Sequence, residues 1–331
     1  MAQIKYSVCA ILLFAINYPF VLEASDRANR NGKQMKIGIV GIGALGSLWA
    51  TKLQQAGHDI LAITRDHSQH SITIALDRQA ETEIPANDCS QLNTCQAIII
   101  TVKSTQVKQA IEPLFEYLPS NIPLIFLHNG MGALDQLGEQ WNQHSLYLAT
   151  TTQAAFKPSS QQVKHTGIGQ TLIGTYRETK LTPQLDSIIQ VLDSALPKVV
   201  WHNQINDALW QKLAINCVIN PMTAIYHCKN GELLQSQYQT EVDNLINECH
   251  QVMQAAGQKQ SLSELSSTIE QVMLATGDNF SSMHQDIHHQ RTTEIDFITG
   301  FLLQKAAQHQ IACPHHQALY QKIKQLEESF I

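Results

Sequence analysis

The sequence predicts an α/β protein: a parallel-sheet domain followed by an all-helical domain. Three observations carry this expectation. Ile37–Val40 is a short apolar run that leads into Gly41-Ile42-Gly43-Ala44-Leu45-Gly46, and Leu45, Leu48, Trp49 and Leu53 then recur at helical spacing. Further apolar runs, Ala97–Val102 and Ile122–His128, alternate with helical stretches, as parallel strands joined by crossovers do. From Asn203 onward the pattern is helical only, with turns at Lys229-Asn230-Gly231, Gly257 and Gly277. The expected division is an extension over 1–34, a Rossmann-type domain over 35–202 and a helical domain over 203–331.

In chain order, the first strand, glycine turn and helix close at Gly57 and are followed by a second strand, Ile60–Ile63. In such a turn the first glycine permits the bend, the second lets backbone approach a pyrophosphate, and the third lets helix and strand pack closely. The helix N-terminus adds free N–H groups and partial positive charge. Arg65 follows the second strand, where an acidic residue would select NAD and an arginine suits the 2′-phosphate of NADP. The alternative is a solvated surface charge, and Asp66 is adjacent.

Short strands are expected over 71–76 and 81–84, a helix from about Thr105 to Leu118, and a strand from Leu146 to Thr152 continuing to Ala155. The segment 161–175 alternates and carries glycines, which predicts a hairpin on the sheet edge. A helix from Pro183 to Leu196 and a strand Lys198–Trp201 complete the first domain. Lys103 and Asn129 each follow the carboxyl end of a predicted strand, where ligands gather in open parallel sheets.

The helix Asp207–Asn220 is apolar nearly all round, yet Lys212, Asn216 and Asn220 stand four apart on one face. A lysine there either serves a ligand, with two amides beside it, or snorkels to water. Pro221 is expected to end or kink this helix. Farther on, Thr292 or Thr293 can cap a helix whose apolar stripe is Ile295, Ile298, Phe301 and Leu302. Glu294 would then lie in its first turn, an ordinary place for a carboxylate.

The formal net charge is −6, and the first 34 residues carry Lys5, Arg27, Arg30 and Lys33 against Glu23 and Asp26, so the rest is more acidic still. That excludes the basic face a nucleic-acid partner needs. The seven cysteines are scattered without a CxxC, which fits a reduced protein; His284 and His288 lack the HExxH context, so no metal is expected. Residues 1–34 hold an apolar run from Tyr6 to Leu22 behind Lys5, which resembles a signal core. Met35 immediately precedes the first strand and is expected to be the functional start, giving a cytoplasmic protein without stable membrane association.

From Met35 to about Glu328 the chain resembles the ketopantoate reductases. The segments that carry the resemblance are GIGALGSLWA, HNGMG at His128–Gly132, LWQKLAINCVINPMTAI at Leu209–Ile225, NGEL at Asn230–Leu233, and SSMHQDI with TTEIDFITGFLL. The resemblance implies a fold like that of 6-phosphogluconate dehydrogenase and NADPH-dependent reduction of 2-dehydropantoate to (R)-pantoate, a step of pantothenate and coenzyme A synthesis, by a monomer or homodimer. It implies that Gly41, Ile42, Gly43, Ala44, Leu45 and Gly46 cradle the NADPH phosphates and Arg65 the 2′-phosphate end. Lys103, Asn129 and Ala155 would line the nicotinamide side. Lys212 would donate the proton, and Glu294 would stand at the cofactor–substrate junction. Asn129, Asn216, Asn220, Asn230, Asn279 and Ser282 would hold the substrate with Lys212. A reductase of another branched 2-oxo acid, or a non-catalytic NADP sensor, are the rival readings; the sensor has no reason to keep a buried Lys212 beside its amides.

Overall fold

The computed structural model describes residues 34–177 and 182–330; the expectations for the extension, up to residue 33, lie outside them. The chain folds into two compact units. The first holds the described residues up to Val102, then Gln109–His128 and Gly138–Ile205. The second holds Lys103–Lys108, Asn129–Leu137 and the described residues from Asn206 onward.

The first unit is built on a seven-stranded sheet. Its strands are β1 (Lys36–Val40), β2 (Asp59–Ile63), β5 (Ala97–Ile100), β6 (Leu124–Leu127), β7 (Leu146–Thr151), β10 (Thr171–Thr175) and β11 (Val199–Trp201), in the order β11-β10-β7-β6-β5-β1-β2. The run from β2 to β7 is parallel, and β10 lies antiparallel to β7. Strand order reverses between β1 and β5, so their carboxyl ends flank the point where open α/β sheets take ligands. These strands are buried apolar runs, as a sheet covered on both faces requires. Helix α1 (Ala44–Gln55) buries Leu48, Trp49 and Leu53 against the core. It ends at Gly57, whose φ of +90° suits a residue without Cβ.

Three expectations need correcting here. The helix foreseen over 105–118 is broken into a 3-10 turn Ser104–Gln106, α2 (Val107–Ile111) and a second 3-10 turn Glu112–Tyr117. Pro113 has no N–H and cannot continue an α-helical ladder. Residues 161–175 are not one hairpin. β9 (Gln162–Gly167) pairs with β8 (Ala154–Ser159) and β3 (Ser71–Leu76) in a four-stranded sheet, β4-β3-β9-β8, completed by β4 (Glu81–Pro85). β10 crosses to the main sheet. The crossing is tight at Gly169, where a Cβ would stand 2.3 Å from the Thr152 carbonyl carbon. The strand expected to run on to Ala155 likewise stops at Thr151, and Ala154 starts β8 in the other sheet. Helix α3 (Pro183–Ala195), capped by Thr182 on the Leu185 N–H, covers this unit's core.

The second unit is helical: α4 (Ile205–Tyr226), α5 (Ser236–Ala255), α6 (Leu262–Ala275), α7 (Ser282–His288), α8 (Thr299–Gln308) and α9 (Pro314–Glu328). Helix α4 runs through Pro221 rather than ending there. Leu213, Val218 and Met222 of α4, Leu245 and Val252 of α5, and Leu319 and Ile323 of α9 are buried. No helix among the described residues is long and apolar enough to cross a membrane.

Candidate functional site

The glycine turn follows β1 in the first unit, and its three glycines differ in what surrounds them. Gly41 has φ +92°, and a Cβ there would stand 2.4 Å from Val102. A Cβ on Gly46 would stand 2.0 Å from the Gly41 carbonyl oxygen. Both are glycine because the protein leaves no room. A Cβ on Gly43 would meet nothing within 4 Å. Among the described residues no atom demands a glycine there, and the exposed position leaves room for a ligand to approach the turn. Gly43 also begins α1, which has no side-chain cap and no acidic residue in its first turn. Its leading N–H groups therefore suit an anion. These features fit the phosphates of a dinucleotide.

Two side chains brace the turn. The Thr101 hydroxyl donates to the Gly41 carbonyl at 2.6 Å. Lys157, from β8, donates to the Ile42 carbonyl at 2.7 Å and to the Ser47 hydroxyl at 3.1 Å, and burial holds its ammonium below the usual lysine range. Sequence reasoning missed Lys157, because nothing local marks a lysine whose partner lies 115 residues away. Arg65 is exposed just past β2, and Ala155 is partly buried on β8.

In the second unit a polar cluster forms around Glu294, which is buried. Its Oε1 accepts the Ser104 N–H and hydroxyl, both at 2.9 Å, and its Oε2 accepts the Asn129 side-chain amide at 3.1 Å. Glu294 is thus not a first-turn carboxylate of one continuous helix. It precedes a 3-10 turn, Ile295–Phe297, and α8 begins only at Thr299, after a break at Ile298. The expected threonine cap is not formed: Glu294 is the N-cap residue of this turn, and Thr293 only accepts the Ile295 N–H at 3.2 Å in a local turn. The HNGMG segment reaches Glu294 because its glycines admit a close approach. Met131 N–H donates to the Phe297 carbonyl, and a Cβ on Gly130 (φ +77°) would stand 2.4 Å from that same oxygen.

Lys103 is drawn to Asp286 (2.8 Å) and to the Thr292 carbonyl (2.8 Å), so its ammonium organises this cluster. Arg291 approaches the other Asp286 oxygen at 3.1 Å. Burial raises the Asp286 pKa and outweighs the pull of both cations, with the Glu294 charge adding to the rise. Ser104 and Asp286 are further residues the sequence did not single out.

On α4, Lys212 and Asn216 are half-buried and Asn220 is buried. Asn230 is buried too. Its N–H donates to the Asn279 carbonyl and its amide nitrogen to the Thr276 hydroxyl, both at 2.9 Å, while its Oδ1 is buried with no partner among the described residues. That orphan acceptor fits a ligand hydroxyl. Asn279 and Ser282 are exposed, while Ser281 between them is buried, caps α7 and accepts the Thr223 hydroxyl at 2.7 Å.

Comparison with known proteins places these features in a family context. The family model described as ketopantoate reductase PanE/ApbA matches residues 37–178, and that described as ketopantoate reductase PanE/ApbA C terminal matches residues 204–327. The 2-dehydropantoate 2-reductase of Vibrio cholerae is 42% identical over 296 residues, covering 89% of this chain and 99% of that protein. The enzyme of the same name from Escherichia coli O157:H7 is 37% identical over 299 residues, covering 89% and 96%. A solved structure of a probable 2-dehydropantoate 2-reductase from Bacillus subtilis aligns with a TM-score of 0.75 at 28% identity, covering 88% of this chain and all of that one.

Proposed function

We propose, from the premise that the chain belongs to the ketopantoate reductase family, that it reduces 2-dehydropantoate to (R)-pantoate with NADPH. Residues 35–202 then serve the cofactor and residues 203–331 the substrate. The protein works in the cytoplasm, as a monomer or homodimer, in pantothenate synthesis. The observation that carries the reading is the pairing of a glycine turn with clearance at Gly43 and a largely apolar helix that carries one lysine and two asparagines on a single face.

NADPH, when bound, supplies the hydride to the C2 carbonyl. The chain's own residues bind, orient and protonate. The α1 N-terminus and the N–H groups of residues 42–46 hold the pyrophosphate, while the Gly41 N–H stays on the Ile63 carbonyl, and Arg65 meets the 2′-phosphate. Lys212 donates a hydrogen bond to the carbonyl oxygen, stabilises the charge that builds there and gives up its proton, regaining one from water. The substrate is a carboxylate with a distal hydroxyl. Asn216 and Asn220 donate to its oxygens, and the orphaned Asn230 Oδ1 accepts from the hydroxyl, with Asn279 and Ser282 beside it. Glu294, fixed by Ser104 and Asn129, stands at the cofactor–substrate junction, and Lys103, Asn129 and Ala155 complete the nicotinamide side.

The test is steady-state NADPH oxidation by wild type and Lys212→Ala, with NADPH affinity measured separately. The expected result is a fall in kcat of about 10²–10⁴ with cofactor affinity nearly unchanged. Near-wild-type turnover would remove Lys212 from its role.

A further inference from the structure

Away from the residues assigned above, the core of the helical unit contains a cluster that the reductase chemistry does not use. Cys217 of α4, Cys249 of α5 and His316 of α9 are all fully buried, and one ligating atom of each lies within 4.8 Å of the others. His316 Nε2 stands 3.4 Å from Cys249 Sγ. Around a tetrahedral Zn²⁺, nitrogen and sulfur ligands stand about 3.5 Å apart, given the usual bond lengths. The spacing already observed is that of two neighbouring corners.

The other ring nitrogen is held as metal-binding histidines usually are. His316 Nδ1 lies 2.7 Å from Glu248 Oε2. Glu248 is itself buried and fixed, accepting the backbone N–H of His315 at 2.9 Å and of His316 at 3.0 Å. A carboxylate in this position sets the tautomer, leaves Nε2 as the ligating atom and raises its basicity. Cys313, also buried, begins the same turn three residues before His316, a spacing suited to a shared metal.

We propose that Cys217, Cys249 and His316 form a structural site for one thiophilic d10 cation, Zn²⁺ by preference, with Cys313 at the start of α9 the candidate fourth ligand. Each ligating thiol gives up its proton on binding. Two thiolates and one neutral imidazole offset the charge of Zn²⁺, and the buried Glu248 carboxylate beside His316 adds one negative charge, whereas Cu⁺ on the same ligands leaves a further one. The cation ties together three helices. One of them is α4, where Cys217 directly follows Asn216 and lies five residues from Lys212. The site would therefore hold in place the helix proposed to carry the proton donor. Its existence does not depend on that role.

The experiment uses the full chain, produced without a metal-binding tag, and measures metal content by plasma mass spectrometry. Wild type should carry about one zinc per chain, and Cys249→Ser less than a tenth of that. Chelation should lower the Tm of wild type and leave that of Cys249→Ser unmoved. Cobalt added to the stripped wild type should give thiolate charge-transfer absorption that the variant lacks. Copper in place of zinc would still support the site and identify its occupant. If Cys249→Ser does not fold, Cys217→Ala, which keeps a small apolar side chain, is read in its place. The proposal is overturned by a wild type that takes up no stoichiometric zinc or cobalt even when refolded in their presence. Equal metal content in wild type and variant, or a Cys217–Cys249 disulfide in the protein as isolated, would also overturn it.

Discussion

Replacing Gly43 with alanine should separate cofactor binding from folding. The added methyl would meet nothing within 4 Å, and Gly43 lies at φ −73°, which alanine adopts without strain. Two small terms oppose each other. Alanine restricts the unfolded chain, worth about 0.4–1 kcal/mol in favour of the fold. Alanine is also a poorer helix N-cap than glycine, which costs a similar amount. Stability should thus change by less than about 1 kcal/mol. The ligand sees a different change. A methyl at that point pushes the pyrophosphate away from the α1 N–H groups, and loss of a charge-assisted hydrogen bond costs about 1.5–3 kcal/mol. The NADPH Kd should rise roughly 10- to 100-fold. Gly46→Ala is the control: its Cβ would stand 2.0 Å from the Gly41 oxygen, so it should lose about 2–3 kcal/mol or more of stability. Urea unfolding and nucleotide fluorescence titration read the two quantities. Gly43→Ala binding NADPH within twofold of wild type would refute the assignment of that clearance to the phosphates.

Four further outcomes are expected. Lys157→Met should weaken NADPH binding by about 5- to 10-fold, through a loosened Ile42 carbonyl, while stability moves little, because losing two hydrogen bonds is offset by removing a buried ammonium; an unchanged Kd would show that the turn needs no brace. Glu294→Gln sets an amide NH₂ against either the Ser104 or the Asn129 donors and should cost about 1–3 kcal/mol in urea unfolding, with Ser104→Ala milder at about 1 kcal/mol. Asn230→Ala should raise the KM for the substrate about tenfold with less effect on kcat, as loss of one ligand hydrogen bond would. Asp286 makes stability depend on pH. Its folded pKa is raised above the usual 3.8, so the stability it contributes is present below that value and is lost as pH rises through the raised one. Wild type should gain stability relative to Asp286→Asn as the pH is lowered from 7 towards 4, and a relative loss would mean that the Lys103 and Arg291 pairs outweigh burial.

What the sequence revealed depended on how local each feature is. The strand, glycine turn, helix and second strand could be read because all three glycine requirements fall within six residues and the apolar periods on either side are unmixed. The polar face of α4 was legible for the same reason. Pairing was not. Alternation in 161–175 shows that the segment is extended but not which sheet accepts it, and the crossing at Gly169 is visible only in three dimensions. Pro113 was present in the sequence and should have shortened the expected helix, whereas Pro221 left α4 continuous. Lys157 and Ser104 escaped notice because their partners are remote: Ser104 meets Glu294 across 190 residues. The cysteine–histidine cluster stayed hidden likewise, since three helices supply its atoms and no short motif joins Cys217 to Cys249.

One comparison tests the central claim most directly: turnover of the full chain on 2-dehydropantoate with NADPH, set beside NADH and a panel of other branched 2-oxo acids. The expected result is rapid oxidation of NADPH with 2-dehydropantoate, with kcat/KM at least about tenfold lower for NADH and for the other acids, equivalent to about 1.4 kcal/mol or more of discrimination. Faster turnover of a different 2-oxo acid by a folded, NADPH-binding protein would contradict the assignment of substrate, and a preference for NADH would contradict the role given to Arg65.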